Sequence, residues 1–206
     1  MLSTRFLGAA ACALILAGCA SQKGQPTTQF DFGPALPAAQ AAPAPSAATA
    51  PVAIVVTDVT GSSALDSERM FYRLSYADAM QARTYANSRW TANPLQLMTQ
   101  RIKTRIGQSG ARVLSETDAS LGIPLLRIDV DEFVQDFTAA TQSTGRVAVR
   151  ASLFRGHTLV DQRTFVRATA AGSADAPGGA RALAASTDAV AGDIVGWLGT
   201  LDLTRR

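Results

Sequence analysis

The chain has little of what metal sites and nucleic-acid interfaces are made from. Its 206 residues include one histidine, two cysteines and only 17% charged residues. Zinc sites and disulfide frameworks need several Cys and His residues at set spacings, so the composition predicts neither a metal nor a cofactor. The formal net charge is +3, and the two lysines are Lys23 and Lys103. A charge this small also argues against a nucleic-acid partner.

Motifs of the common hydrolases are missing as well. A nucleotide-hydrolysing motor needs a Gly-rich phosphate loop that ends in Lys-Ser or Lys-Thr, and no segment has this pattern. Ser-His-Asp catalysis would have to use His157, which lies in a predicted hairpin turn, and no Gly-x-Ser-x-Gly elbow is present. We therefore expect a solvent-facing turn histidine and a chain that is not an enzyme.

The best candidate for carboxylate chemistry is an acidic cluster made of Asp129, Asp131, Glu132 and Asp136. Asp129 and Asp131 emerge on the same side of a predicted strand. Three arginines on the same or a neighbouring strand can offset their charge as cross-strand pairs: Arg127, Arg146 and Arg150. We therefore favour a solvated sheet face, because carboxylate catalysis would need a concave and desolvated site.

The N-terminus has the pattern of a bacterial lipoprotein signal, which assigns residues 1–18 to a signal peptide. Arg5 precedes an apolar run from Phe6 to Ala17, which is too short to span a membrane. The sequence Leu16-Ala17-Gly18-Cys19 is similar to the lipobox, in which cleavage leaves the cysteine acylated at the new N-terminus. An ordinary signal peptide with a chance cysteine is the alternative.

Lipidation of Cys19 predicts a protein that is anchored to a membrane and does not span it. Several acyl chains, such as palmitate, hold a protein stably where one chain binds reversibly. Cys12 leaves with the signal peptide, so the mature chain has no second cysteine for a disulfide. Ala20 follows the modified cysteine, and lipoproteins without Asp at that place are generally sorted to the outer membrane. We expect the folded part to lie on the periplasmic face.

A Pro/Ala-rich segment predicts a tether. Residues 29–33 alternate like a short strand, and residues 34–51 then contain five of the nine prolines. Such a composition cannot bury enough apolar surface to order itself. We assign residues 19–51 to a lipidated N-terminus, a short strand and a tether, and residues 52–206 to the folded domain.

The folded domain has the patterns of an α+β protein. Asn93-Pro94 is a good helix start, and the apolar residues that follow it recur at helical spacing up to Ile106. A second helical stripe runs from Leu183 to Leu201. Strand patterns occur at residues 52–59, 70–76, 85–90, 125–133, 147–153 and 159–168. We expect an antiparallel sheet with the two helices packed on one face.

Tyr85, Arg89 and Trp90, just before the first helix, form a candidate partner surface, although aromatic residues at a strand end more often cap a core. The block from Tyr72 to Tyr76, the segment from Tyr85 to Trp90 and the Asn93-Pro94 helix start together resemble the ABC-type transport auxiliary lipoprotein family, which includes the paraquat-inducible C-type lipoproteins. Three further segments resemble its opening, middle and late strands: residues 30–34, 125–133 and 163–165.

The resemblance implies a periplasm-facing accessory subunit without catalytic residues. Its partners would be a mammalian-cell-entry (MCE) domain protein and an ABC permease and ATPase that together move phospholipids or other hydrophobic molecules between membranes. Two alternatives stay open. The domain could carry phospholipid in a cleft between helices and sheet, which predicts an apolar pocket, or it could be a structural envelope-assembly lipoprotein.

Overall fold

In a computed structural model of the protein, the described residues are 26–35, 52–118 and 122–203. The strands are β1 (Thr28–Phe30), β2 (Ala53–Val56), β3 (Thr60–Gly61), β4 (Arg69–Leu74), β5 (Asp78–Trp90), β6 (Arg112–Leu114), β7 (Leu125–Ala139), β8 (Gln142–Arg155) and β9 (Thr158–Ala170). The helices are α1 (Pro94–Gln108), α2 (Ala176–Leu198) and a short 3₁₀ turn, Ser63–Asp66. None of the described helices is long and apolar enough to cross a bilayer.

The sheet is organised around the long strand β7. On one side β7 pairs antiparallel with β8, which pairs antiparallel with β9. On its other side β7 pairs in succession with β2, β3 and β4, and all three pairings are parallel. The sheet then continues from β4 to β5 and β1, and from β2 to β6.

The α+β class is confirmed, but the expectation of a purely antiparallel sheet is wrong. β2 and β6 are also parallel, as are β1 and β5. Alternating apolar residues show which face of a strand is buried, and they carry no information on the direction of its neighbour. The correct antiparallel predictions are the hairpins, where a short turn leaves the chain no other choice.

Both helices cover the same face of the sheet. The first begins where the sequence predicts, whereas α2 begins at Ala176, seven residues before the predicted stripe at Leu183. The side chain of Asn93 accepts a hydrogen bond from the backbone N–H of Gln96 at the start of α1. Asp175 caps α2 in the same way through the N–H of Gly178. The inward side chains of both helices are fully buried, among them Met98, Ile102, Val190 and Ile194.

The first predicted strand of the domain is shorter than expected. β2 ends at Val56, although the β-branched pattern continues to Val59. The N–H of Val59 bonds instead to the Oγ1 of Thr99 on α1, 2.8 Å away, so a helix side chain replaces the strand partner.

A bulge in β7 changes which residues face the helices. Before the bulge, Ile128 and Val130 point into the core, and after it Phe133, Gln135 and Phe137 do so. The shift falls between Val130 and Glu132, where the pairing with β8 is irregular. One extra residue therefore moves a glutamine into the interior.

Candidate docking surface

Tyr85 lies where the β4–β5 hairpin meets the body of the sheet. Its ring packs against Tyr72 at a centroid distance of 4.7 Å. Its hydroxyl donates a hydrogen bond to the Oε1 of Gln135, 2.8 Å away. Burial is the main cause that raises the pKa of the Tyr85 phenol well above its ordinary value, and the nearby Tyr72 and Asp175 act in the same direction. The side chain of Tyr85 is therefore half-buried, and its phenol is neutral.

Gln135 connects Tyr85 to the second helix. It is fully buried, and its amide nitrogen donates to the Oγ of Ser143 and to the backbone carbonyl of Asp175, at 2.8 and 3.1 Å. Gly179 on α2 leaves room for it, because a Cβ at Gly179 would overlap the amide of Gln135. Every polar atom of this buried amide group thus has a partner, as a stable interior requires.

Trp90 is a core residue, so its side chain is not part of a partner surface. It is 1% exposed and packs edge-on against Phe32, with 5.6 Å between the ring centroids. Phe133 lies 5.7 Å from it on β7. Trp90 follows the strand register that points into the sheet–helix layer, whereas its neighbour Arg89 is exposed. The prediction of a partner surface stays open for Tyr85 and Arg89.

The N-terminal segment from Thr28 to Ala35 is part of the folded body. β1 pairs with the end of β5, and the ring of Phe32 lies between Trp90 and the guanidinium of Arg101. Arg101, on α1, is 5% exposed and donates to the carbonyls of Phe32 and Gly33. It also pairs with Asp188 of α2 at 3.6 Å. A buried charge of this kind is stable only with such partners.

The residues that flank the Pro/Ala-rich segment on both sides also contact the folded body. Gln108 on α1 donates to the carbonyl of Ala35, 3.2 Å away, and the N–H of Arg112 bonds to the carbonyl of Val52, 2.9 Å away. Both ends of residues 36–51 are therefore held by the same folded body. The short strand expected ahead of the folded domain therefore packs with it, and most of the predicted tether is formed by residues 36–51. They lie outside the described residues, as do the signal peptide and Cys19.

The acidic cluster forms cross-strand ion pairs on the sheet face away from the helices. Asp129 pairs with Arg150 at 3.7 Å. Glu132 pairs with Arg146 at 3.2 Å and with Arg73 at 3.7 Å. The solvated face expected for these carboxylates is confirmed. Two details differ from the prediction, since Arg73 was not foreseen and Arg127 stacks on the ring of Phe154.

The remaining members of the cluster and His157 have ordinary environments. Asp136 accepts a hydrogen bond from Ser75, and Asp131 is exposed at the bulge. His157 is exposed in the β8–β9 turn, beside Gly156 with its positive φ of 58°. Within the described ranges, no group of three or more His, Cys, Asp or Glu side chains is placed to hold a metal ion.

Two concavities beside the helices are open and partly polar. One of about 500 Å³ lies between the N-terminal segment and α2, and its walls include Phe30, Ala184 and Arg181. One of about 530 Å³ lies along α1, with Asp58 and Lys103 on its rim. These are not the enclosed apolar cleft that the carrier alternative predicts.

Sequence reasoning missed Gln135 and Arg101, which hold the elements around the candidate surface together. Gln135 follows an alternating strand pattern that places it on the outer face until the bulge is counted. Arg101 falls one residue before the apolar position Ile102 of α1, which was a usable sign that it borders the buried face.

The fold matches solved structures at low sequence identity. One is the crystal structure of a Xanthomonas campestris protein assigned to the DUF330 family model, with a TM-score of 0.64, 22% identity and coverage of 84% of this chain and 92% of that chain. Another is the crystal structure of an uncharacterized protein, with a TM-score of 0.62, 15% identity and coverage of 71% and 92%. No curated protein matches the chain. These likenesses concern the fold alone.

The family is shown by the sequence itself. The model of the ABC-type transport auxiliary lipoprotein component matches residues 35–195, which include every helix and strand described above except β1 and the last three residues of α2. That family consists of lipoproteins, which are proteins of the cell envelope held to a membrane. The chain belongs to the ABC-type transport auxiliary lipoprotein component family.

Proposed function

We propose that this chain is an outer-membrane-anchored periplasmic lipoprotein that serves as a non-catalytic accessory subunit of an ABC/MCE-type transport system. The system would move phospholipids or other hydrophobic molecules across the envelope. The family match over residues 35–195 carries the proposal. The anchor would be Cys19, acylated after removal of residues 1–18.

The described structure supports a role in binding proteins rather than in chemistry. Two carboxylates of the acidic cluster, the best candidate for catalysis, form ion pairs with the arginines Arg73, Arg146 and Arg150. A catalytic carboxylate works in a concave, desolvated site, whereas Asp129 and Glu132 are partly exposed and paired with arginines. What the fold offers instead is exposed strand surface, including the start of β5, where Met80 is 94% exposed.

The docked N-terminal segment supports a short connection between anchor and domain. Thr28 is held in the sheet, and Cys19 precedes it by nine residues. A fully extended connection of that length spans about 30 Å. An accessory subunit with this connection would meet its MCE partner close to the membrane.

Co-purification of the full chain from membranes tests the proposal. Bound proteins and extracted lipids would be identified by mass spectrometry. We expect an MCE-domain protein with lipid at background level. Stoichiometric phospholipid without a protein partner would favour the carrier instead, and recovery of neither would leave the structural lipoprotein as the better account.

A pair of cysteine variants tests the anchor in the same preparation. Cys19→Ser should move the protein out of the membrane fraction and reduce recovery of the partner. Cys12→Ser is the matched control, since it changes a residue of the discarded signal peptide and should leave both unchanged. Equal behaviour of the two variants would rule out the anchor.

A further inference from the structure

Arg69 and Arg89 form a like-charge pair that the fold does not explain. They lie directly opposite each other on β4 and β5, and both are exposed. Like charges opposite each other on neighbouring strands repel and destabilise the sheet. In the part of the chain that the structure describes, neither guanidinium has a hydrogen bond or an ion pair.

Four other arginines of the sheet form ion pairs with carboxylates. Arg73 and Arg146 share Glu132, and Arg150 pairs with Asp129. Arg167 on β9 forms a bidentate contact with Asp193 of α2. Within the described ranges Arg83, Arg112 and Arg127 also have no ion pair, but Arg69 and Arg89 differ from them because they face each other directly across two strands.

The two arginines line one concavity of about 290 Å³, together with Thr84, Tyr85, Ala86 and Ser88. A bulge opens it, because Met70 of β4 is the one residue between two pairing points that enclose four residues of β5. The hydrogen-bond donors of the concavity are the two guanidinium groups and the hydroxyls of Thr84 and Ser88, because the Tyr85 hydroxyl donates to Gln135. Planar guanidinium groups match the oxygens of a phosphate and bind it in a bidentate manner.

The concavity lies beside the point where the chain comes from the anchor. β1 pairs with the same part of β5, where Thr28 is opposite Ser88 and Gln29 is opposite Arg89. Thr28 is nine positions after Cys19, a separation that can span about 30 Å, so the membrane surface is within reach of this part of the domain.

We propose that Arg69 and Arg89 bind the phosphate of phospholipid head groups in the membrane that holds the anchor. The proposal rests on the lipidation of Cys19 in the proposed function, and it adds a second contact that orients the domain with the β1–β5 side toward the lipid. Positive side chains near an anionic lipid surface are attracted to it, and this attraction weakens with salt.

The test uses the mature chain from residue 19 with Cys19→Ser, which contains every described residue and lacks the anchor. Its partition to phosphatidylcholine vesicles with and without phosphatidylglycerol is measured by co-sedimentation. For the double variant Arg69→Gln/Arg89→Gln we expect partition to the anionic vesicles to fall by roughly thirty-fold. Its thermal unfolding should be unchanged or shifted upward, because a repulsive pair has been removed.

The matched control is Arg112→Gln/Arg163→Gln, which removes two exposed arginines from β6 and β9. It has the same net charge as the first variant and should keep nearly all of the vesicle binding. Equal loss in both variants, or no vesicle binding by the unsubstituted protein, overturns the proposal. Binding of inorganic phosphate or glycerol phosphate by the unsubstituted protein without vesicle binding also overturns it, in favour of a soluble ligand.

Co-purification with the lipidated forms separates this proposal from the proposed function. A lipidated Arg69→Gln/Arg89→Gln variant that loses neither its MCE partner nor, in the unlipidated form, its vesicle binding would overturn only the head-group contact. Vesicle binding by the unsubstituted protein that is lost in Arg69→Gln/Arg89→Gln, with no MCE partner recovered from either lipidated form, would count against the accessory role alone.

Discussion

Gln135 shows how much a single residue in the interior depends on its neighbours. Its amide group forms hydrogen bonds with Tyr85, with Ser143 and with the backbone carbonyl of Asp175, just before α2. An unpaired amide in that position would cost about 1–3 kcal/mol. Each partner comes from a different element, so the network holds the hairpin, the central strands and the second helix in one arrangement.

Tyr85→Phe should change the pH dependence of stability. The pKa of the Tyr85 phenol is raised by burial in the folded state, while an unfolded tyrosine ionises near pH 10. The unfolded state therefore loses this proton first, and the contribution of Tyr85 is fully present below about pH 10 and is lost as the pH rises further. The variant should lose about 1–3 kcal/mol at neutral pH, because it leaves the Oε1 of Gln135 unpaired, and it should lack this alkaline decline.

Tyrosinate absorbance and urea unfolding as a function of pH measure both effects. Tyr76→Phe is the control, because Tyr76 is 51% exposed. In the absorbance titration, the last tyrosine to ionise should be missing from Tyr85→Phe and present in Tyr76→Phe. If the two variants titrate alike, the Tyr85–Gln135 hydrogen bond is not the cause.

At the scale of elements, α2 owes its position to small residues. Gly145 of β8 faces it so closely that a Cβ there would lie 2.5 Å from the backbone of Ala182 and Leu183. The Oγ of Ser186 donates to the carbonyl of Gly145 across the same contact, at 2.7 Å. Glycine is needed at this point because helix backbone and strand backbone meet without side chains between them.

Gly145→Ala should therefore destabilise the protein by about 1–3 kcal/mol, although alanine is ordinarily better than glycine in a strand. Gly192→Ala is the matched control, since Gly192 lies in α2, the helix that Gly145 contacts, and has open space at its Cβ position. This second change should stabilise the protein by about 0.5–1 kcal/mol. Urea unfolding compares the two, and a neutral Gly145→Ala would mean that α2 can move away from β8 at no cost.

At the scale of the whole molecule, the path of the chain decides how far the domain reaches from its anchor. Arg101, Phe32 and β1 fix the N-terminal segment to the body, so the distance from Cys19 to the body is limited by the nine positions from Cys19 to Thr28. The longer Pro/Ala-rich segment joins two points on the same body and adds nothing to the reach.

Insertions at two places should separate these roles in the lipidated protein. A flexible Gly/Ser insertion of about sixteen residues after Ser21 raises the root-mean-square reach from roughly 16 to roughly 27 Å. The same insertion after Ala44 should leave the reach unchanged. A fluorophore is attached to Met80→Cys, an exposed position near the start of β5. Energy transfer then reports its distance to acceptor lipids in phosphatidylcholine vesicles.

Energy transfer should fall with the first insertion and stay constant with the second. Under the proposed function the labelled cysteine is the one reactive thiol, because Cys12 would leave with the signal peptide and Cys19 would carry the acyl chains. A fall in energy transfer with the second insertion would restore the Pro/Ala-rich segment as the tether.

Local features were predictable from the sequence because their causes are local. The start of α1 at Asn93-Pro94, the apolar stripe of α2 and the turn at Gly156 each depend on residues within a few positions of one another. The β8 partners of Asp129 and Glu132, Arg150 and Arg146, were also predictable, since a hairpin places the two strands side by side.

Only the tertiary structure decided the features that depend on distant pairing. The parallel neighbours of β7, the burial of Trp90 and the docking of β1 join parts of the chain that lie many residues apart. A single bulged residue placed Gln135 inside, and the burial of Arg101 depends on Phe32 and Asp188 from two other segments. Periodicity specifies the face of an element, whereas direction, register and contact between distant elements are set by how the whole chain packs.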